Sequence, residues 1–381
     1  MRDFTFQPGP AVLSGAGAAS WLAAKMPPGP CLFVTDTDIL GFGLADDCLN
    51  GIQQSGRDVV IFEEVESDPS KDTLLAAVEV GRDTAVSHVV GFGGGSPMDV
   101  AKLASYLLGS GDDLDDIWGV GLATGGRLPL ALVPTTAGTG SEATPVAVIT
   151  CEGGEKRGVN SPALTADWAA LDPALTVGMP RELTAATGID AMVHAVEAYT
   201  SAKAKNPISD LYAREALSLL SANLVRACEQ PDDIDARSAM LLGAHLAGLA
   251  FANAPVAGVH ALAYPLGGLH HLPHGLSNAL MLRHVLQHNS EAAREKYAEL
   301  AGIVDPSCVG QGSQARCARL IERLDELSAA SGLKLRLRDH GIRQEDIPLL
   351  AREAMKQQRL LVNNPCVIEE DDARRLYEAA W

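Results

Sequence analysis

The feature that most constrains this chain is a change of rhythm near residue 180. Before it, short apolar runs rich in β-branched and aromatic residues recur at Cys31–Thr35, Asp58–Phe62, His88–Phe92 and Leu128–Val133. Helical patterns around Lys71–Arg82 and Met98–Leu108 separate them. Strands spaced by helices call for βαβ crossovers, hence a mostly parallel sheet covered on both faces. Beyond Pro180 the strand signal stops. Long amphipathic patterns take over at Ala185–Thr200, Ile208–Glu229, Ala236–Asn253, Leu276–Asn289, Ala315–Ser331 and Ile347–Arg359, with Pro-containing breaks such as Asn206-Pro207 between several of them. The expected fold class is an α/β N-terminal domain over residues 1–180, Rossmann-like with a mostly parallel sheet, followed by an all-α C-terminal domain over residues 181–381, with a cleft between them.

A chain of 381 residues with 47% hydrophobic residues is long enough for two such cores. The 48 Asp and Glu against 30 Lys and Arg leave a formal charge of −18. Nucleic acid and anionic membranes need a basic surface, so neither is expected as a partner. No apolar run reaches membrane-spanning length and no signal peptide is recognisable. The seven scattered cysteines contain no CxxC pair and read as reduced thiols of a cytoplasmic protein.

Two stretches carry chemistry in the first half. Gly91-Phe-Gly-Gly-Gly-Ser-Pro-Met-Asp-Val-Ala-Lys102 follows an apolar strand and opens a helix. Ser96 is the expected N-cap, Pro97 the first helical residue, and Asp99 lies three residues past the cap. Glycines here admit close backbone approach, and free N–H groups at a helix start favour a phosphate, so Gly94, Gly95, Ser96 and Asp99 are cofactor-binding candidates. The run departs from the usual dinucleotide fingerprint, with Ser96 at the third glycine position and no strand-end acid about 20 residues on. The acid comes earlier, as Asp36 at the end of Leu32-Phe-Val-Thr-Asp36. A carboxylate there accepts hydrogen bonds from a ribose and repels a 2′-phosphate, which favours NAD over NADP. The second stretch, Pro134-Thr-Thr-Ala-Gly-Thr-Gly-Ser-Glu142, offers four hydroxyls after an apolar strand; a locally bonded turn is the alternative, but its place at a strand's carboxyl end favours a cofactor loop.

In the second half the signal is histidine. Eight of the ten fall between His194 and His288. Asp190 and His194 are four apart and share a helical face, with Glu197 three residues further on; His260 and His274 follow downstream. One carboxylate and three imidazoles, from helix and loop elements, suit an open divalent metal site.

Read together and in order, Gly-Gly-Gly-Ser-Pro-Met-Asp-Val-Ala-Lys (93–102), the hydroxyl-rich loop (134–142), Thr-Ala-Ala-Thr-Gly-Ile-Asp-Ala-Met-Val-His-Ala-Val-Glu-Ala-Tyr (184–199) and the run 260–275 ending in Pro-His-Gly resemble the iron-containing, or group III, alcohol dehydrogenase family. The resemblance spans nearly the whole chain. It implies a dinucleotide-binding domain, a helical metal- and substrate-binding domain of dehydroquinate synthase-like architecture, and NAD(P)-linked interconversion of a small alcohol with its aldehyde or ketone. A divalent metal, Fe²⁺ or Zn²⁺, acts in that family as a Lewis acid on the substrate oxygen. Carried over by position, the metal ligands are Asp190, His194, His260 and His274, and the dinucleotide lies among Asp36, Gly95, Ser96, Thr135, Thr136, Thr139 and Lys156. A homodimer is the family-level expectation.

Two departures stand out. Tyr264 occupies the place of a second histidine that many members use to relay a proton, so Tyr264 and His274 are the candidate proton-handling residues. Asp68 stands where relatives often carry Asn, adding negative charge near the expected ribose. Rival readings on the same fold are a maleylacetate reductase, a hydroxyacid–oxoacid transhydrogenase and a non-enzymatic NAD-binding sensor.

Overall fold

A computed structural model of the protein describes residues 3–381. The chain divides into two compact units, Gln7–Val177 and Gly178–Trp381, the second also taking in residues 3–6. Phe6 stacks on Tyr212 of that helical unit at 5.8 Å.

The first unit is built on nine strands: β1 (Ala11–Ser14), β2 (Cys31–Val34), β3 (Val59–Phe62), β4 (His88–Gly93), β5 (Gly119–Val120), β6 (Leu130–Pro134), β7 (Val146–Thr150), β8 (Lys156–Asn160) and β9 (Trp168–Leu171). Six form one sheet in the order β1-β9-β6-β4-β2-β3, with every pairing parallel. The continuous apolar runs seen in the sequence are what two-sided burial demands. On β2, Leu32 and Val34 enter one core while Cys31 and Phe33 enter the other, on the opposite face. Phe33 meets Phe92 of β4 at 5.5 Å. The remaining strands form a small sheet, β5-β8-β7, in which β7 and β8 run antiparallel. That small sheet, the edge strand β1 and the inner strand β9 have no counterpart in the sequence reading.

In this topology β2 connects outward to β3, and β4 returns to the other side of β2 before the chain proceeds to β6. The order therefore reverses between β2 and β4. A crevice at the carboxyl ends of strands forms at such a switch point, and Asp36 and the glycine turn both lie there.

The second unit is helical throughout. Arg181–Thr200, Pro207–Glu229 and Ile234–Asn253 are its long helices, followed by Gly258–His270, His274–Asn289, Arg294–Val304, Ser313–Ala330, Ile347–Met355 and Glu370–Ala380. The Asn206-Pro207 break is a helix start: Asn206 accepts the Ser209 N–H at 2.9 Å and Pro207 takes the first helical position, where its missing N–H costs nothing. Three helices go beyond the patterns read from the sequence, Gly258–His270 among them. Among the described residues no single helix is long and apolar enough to cross a membrane.

Candidate metal centre and cofactor loops

The helix Arg181–Thr200 is buried on almost every side from Thr184 onward. Polar side chains on such a helix need partners, because a buried charge without one is costly. Asp190 and His194 are 2% and 4% exposed, and one helical turn aligns them. The sequence reading placed the downstream histidines on mixed helix and loop elements. Both in fact belong to helices: His260 lies in the first turn of Gly258–His270 and His274 is the first residue of His274–Asn289. Gly275 makes the second of these possible. A side-chain carbon there would sit 2.4 Å from the backbone oxygen of Ala186, so only glycine lets this helix start press against the Asp190 helix.

The four side chains converge. One ligand-type atom from each of Asp190, His194, His260 and His274 lies within 4.8 Å of the others. From Asp190 Oδ1, the Nε2 atoms of His194, His260 and His274 are 3.9, 3.8 and 3.6 Å away. Donors about 2.0–2.2 Å from a tetrahedral cation stand roughly 3.4 Å from one another. The cluster is therefore the right size and has the right chemistry for a divalent ion, with all three Nε2 atoms turned to one point. Burial alone would raise the Asp190 carboxyl; the three histidines and the Asn278 amide hold it instead below the ordinary carboxylate range.

Phe251 stacks on the His194 ring at 4.3 Å, and His194 on His260 at 4.7 Å, which fixes the ring planes. Only the His274 side chain is substantially exposed, at 40%, so the cluster opens on that side. Tyr264 stands there, its ring 5.9 Å from that of His274.

Two residues without an assigned role in the sequence reading join this centre. Asn278 donates to Asp190 Oδ1 at 2.6 Å and lies 3.2 and 3.3 Å from Nε2 of His260 and His274. Its four-residue spacing from His274 was the available signal. Glu197, 4% exposed, meets His260 Nδ1 at 2.7 Å.

Asp36, the glycine turn and the hydroxyl loop sit at the carboxyl ends of three neighbouring strands, β2, β4 and β6, whereas Lys156 opens β8 in the small sheet. β4 ends in Gly93, whose φ of +145° puts it in a conformation that only glycine adopts readily. The turn is tight enough that the helix Gly95–Ser110 begins two residues earlier than expected. Gly94, not Ser96, is its N-cap, and no side chain caps it, which leaves the first N–H groups without a side-chain acceptor. Ser96 instead accepts the Asp68 N–H at 3.3 Å, and Pro97 falls inside the first turn, where it is tolerated. Thr135 N–H donates to Gly93 O at 2.9 Å, joining the glycine turn to the start of the hydroxyl loop. A side-chain carbon on Gly95 would come within 3.1 Å of the Thr139 methyl, and Gly94 faces Thr136.

Asp99 is engaged within the protein. Its Oδ1 accepts from Ser141 Oγ at 2.6 Å and from Lys102 Nζ at 3.3 Å, and its Oδ2 accepts the Val148 N–H at 2.9 Å. Lys102, fully buried, also donates to Ser141 Oγ and to Val146 O, both at 2.6 Å. Burial lowers its pKa, countered by Asp99 and Glu142. These bonds brace the hydroxyl loop against the phosphate-type helix.

Asp36 caps the short helix Thr37–Gly41 by accepting the Ile39 N–H at 2.9 Å; burial raises its carboxyl pKa. Lys156 pairs with Asp68 at 2.5 Å, so the acid that departs from the family pattern is neutralised by the lysine expected near the cofactor. Asp68 holds a left-handed backbone conformation at φ 55°.

Comparison with known proteins agrees with this geometry. Residues 9–173 match the iron-containing alcohol dehydrogenase family, and residues 184–381 match the C-terminal part of the Fe-containing alcohol dehydrogenase family. The chain belongs to the iron-containing alcohol dehydrogenases. Within this family it is 40% identical over 353 residues to Long-chain-alcohol dehydrogenase 1 of Geobacillus thermodenitrificans, covering 92% of this chain and 89% of that protein. The crystal structure of a 1,3-propanediol oxidoreductase matches with a TM-score of 0.96 and 33% identity over the whole of both chains. Sulfoacetaldehyde reductase from Bifidobacterium kashiwanohense, in complex with NAD⁺, matches with a TM-score of 0.87 and 28% identity over 100% of this chain and 99% of that one.

Proposed function

We propose that this protein is a metal-dependent, NAD-linked dehydrogenase interconverting a small alcohol with its aldehyde or ketone. The observation that carries the reading is the convergence of Asp190, His194, His260 and His274 within 4.8 Å. A divalent ion held there, Fe²⁺ or Zn²⁺, supplies Lewis-acid polarisation of an alcohol or carbonyl oxygen, and NAD supplies the hydride acceptor. Nitrogen and oxygen donors without sulfur suit either metal.

The chain's own residues divide the remaining work. Asp190 brings one negative charge and the histidines three neutral donors, so a bound divalent ion keeps a net positive charge toward substrate. Substrate approaches from the side where His274 is exposed, past Tyr264. Tyr264, backed by His274, handles the hydroxyl proton at its phenol oxygen and passes it to solvent. The uncapped N–H groups after Gly94, with Gly95 and Ser96, receive the pyrophosphate, and Thr135, Thr136 and Thr139 line the same loops. Asp36 is placed to accept from an adenosine ribose, and Lys156 pairs with Asp68, whose backbone N–H donates to Ser96. The reading of NAD over NADP draws support from Asp36 and from the NAD⁺ bound to the sulfoacetaldehyde reductase relative. Seven free cysteines, five of them buried, fit a reducing cytoplasm, and a symmetric dimer is the commonest assembly.

Metal analysis paired with NAD-linked assays before and after chelation tests this reading. Chelation is expected to abolish activity, and added Fe²⁺ or Zn²⁺ to restore it. Full activity in metal-free protein would overturn it. Steady release of NADH into solution separates a dehydrogenase from a transhydrogenase that retains its cofactor.

A further inference from the structure

Resting on the metal-site reading above, we propose that Glu197 is the positioning residue that sets the tautomer and direction of His260. Glu197 lies on the helix Arg181–Thr200, one turn beyond His194, and is 4% exposed. Its carboxylate crosses to the start of the helix Gly258–His270. There Oε1 accepts the Val259 N–H at 2.6 Å, and Oε2 accepts the Ala257 N–H at 2.8 Å. His260 Nδ1 stands 2.7 Å from Oε2.

That helix has no side-chain cap of its own. Its first N–H groups need an acceptor, and a carboxylate is the acceptor the helix dipole favours. Glu197 therefore does two jobs with one group. The backbone bonds fix the carboxylate in place, and the fixed carboxylate dictates the ring. Both oxygens already accept backbone N–H groups, so the carboxylate meets the ring as an acceptor too, which places the hydrogen of His260 on Nδ1. The Nε2 lone pair is then left for the cluster, where the Asn278 amide nitrogen stands 3.2 Å and Asp190 Oδ1 3.8 Å from it. The other tautomer would put a hydrogen where a cation has to bind. Charge transfer through this bond also makes Nε2 a stronger donor, and loss of such an outer partner typically weakens metal affinity about 10- to 100-fold.

The decisive experiment uses the full chain, stripped of metal. Nitrogen-15 NMR of labelled histidine at mildly alkaline pH is expected to find the His260 proton on Nδ1, strongly deshielded by the carboxylate. Glu197→Gln keeps the shape but replaces one acceptor by a donor. It is expected to remove that deshielding and weaken Zn²⁺ binding, measured by competition with a chelating dye, by about 10- to 100-fold. NAD affinity should stay within about twofold, since a bond in the helical cluster does not bear on the cofactor loops. A wild-type His260 protonated on Nε2 would overturn the proposal, and this arm stands even if the variant does not fold. Zn²⁺ affinity unchanged in folded Glu197→Gln would also overturn it. Failure of the wild type to bind any divalent ion would sink the metal-site reading, and the NMR arm alone would still decide whether Glu197 sets the ring.

Discussion

Buried polar groups in the two units are used in opposite ways. In the helical unit they point inward to a common centre: Asp190, His194 and His260 are almost fully buried, and their donor atoms face one another. In the α/β unit the buried Lys102 and the part-buried Asp99 are bonded to the protein itself. Lys102 and Asp99 are occupied with Ser141, Val146 and Val148, and the ligand surface is left to backbone N–H groups, glycines and threonine hydroxyls. The difference follows from what each site would hold. A small divalent ion needs several side-chain donors at short range, whereas a pyrophosphate is long and already charged. It is best met by rigid backbone dipoles with no side chain in the way.

The comparison can be broken from either side. The largest effect is expected from His260→Ala, which removes a ligand from the metal side alone. Alcohol oxidation should fall by roughly a thousandfold or more in kcat/KM, with the NAD dissociation constant within about twofold of wild type. Loss of NAD binding in parallel would show that the two sites are not separable.

Next comes Lys102→Met on the cofactor side. Removing a buried cation leaves Asp99 and Ser141 under-partnered and should destabilise the protein by about 3 kcal/mol in denaturant unfolding. NAD binding is expected to weaken while Zn²⁺ affinity holds. Unchanged stability would mean that Lys102 does not brace the loops.

Asp36→Asn makes a smaller and more selective change. Asparagine caps a helix as well as aspartate does, so Thr37–Gly41 should persist. The charge that repels a 2′-phosphate is lost, and the preference for NAD over NADP should narrow by about tenfold. Paired titrations with the two cofactors measure it; an unaltered ratio would remove Asp36 from the selectivity account.

The smallest expected effect contrasts a histidine of β4 with those of the cluster. His88 is buried with Ser87 Oγ 2.9 Å from its Nδ1, and burial, helped by Arg57, pushes its pKa down to about 4. Its neutral form is the one the fold accepts. The stability it contributes is complete above an ordinary histidine pKa near 6.5 and is lost as pH falls toward 4. His88→Gln should therefore flatten the acid side of the stability profile over that interval, read from unfolding midpoints at several pH values.

Much of this molecule is local enough to read along the chain. Two-sided burial writes itself as runs such as Cys31-Leu-Phe-Val34, a helical turn aligns Asp190 with His194, and the glycine turn after β4 shows its permissiveness in composition. The helix Gly258–His270 is different. It contains Gly258, Pro265, Gly267 and Gly268, all poor helix formers, and its start is held by a carboxylate some sixty residues away. Ser96 looked like a cap because Ser-Pro commonly opens a helix; the positive φ of Gly93 moved the opening to Gly95.

Periodicity and turn chemistry act over a few residues, and they were enough to name a parallel sheet, the helical half and, as candidates, the glycine turn and the histidine cluster. Which buried charge meets which partner is another kind of fact. Asn278 beside Asp190, Glu197 beneath His260 and Lys102 behind the hydroxyl loop are pairings across 39 to 88 residues. They arise only when helices and strands pack, because desolvation then leaves each ion no solvent alternative to the partner that packing brings to it.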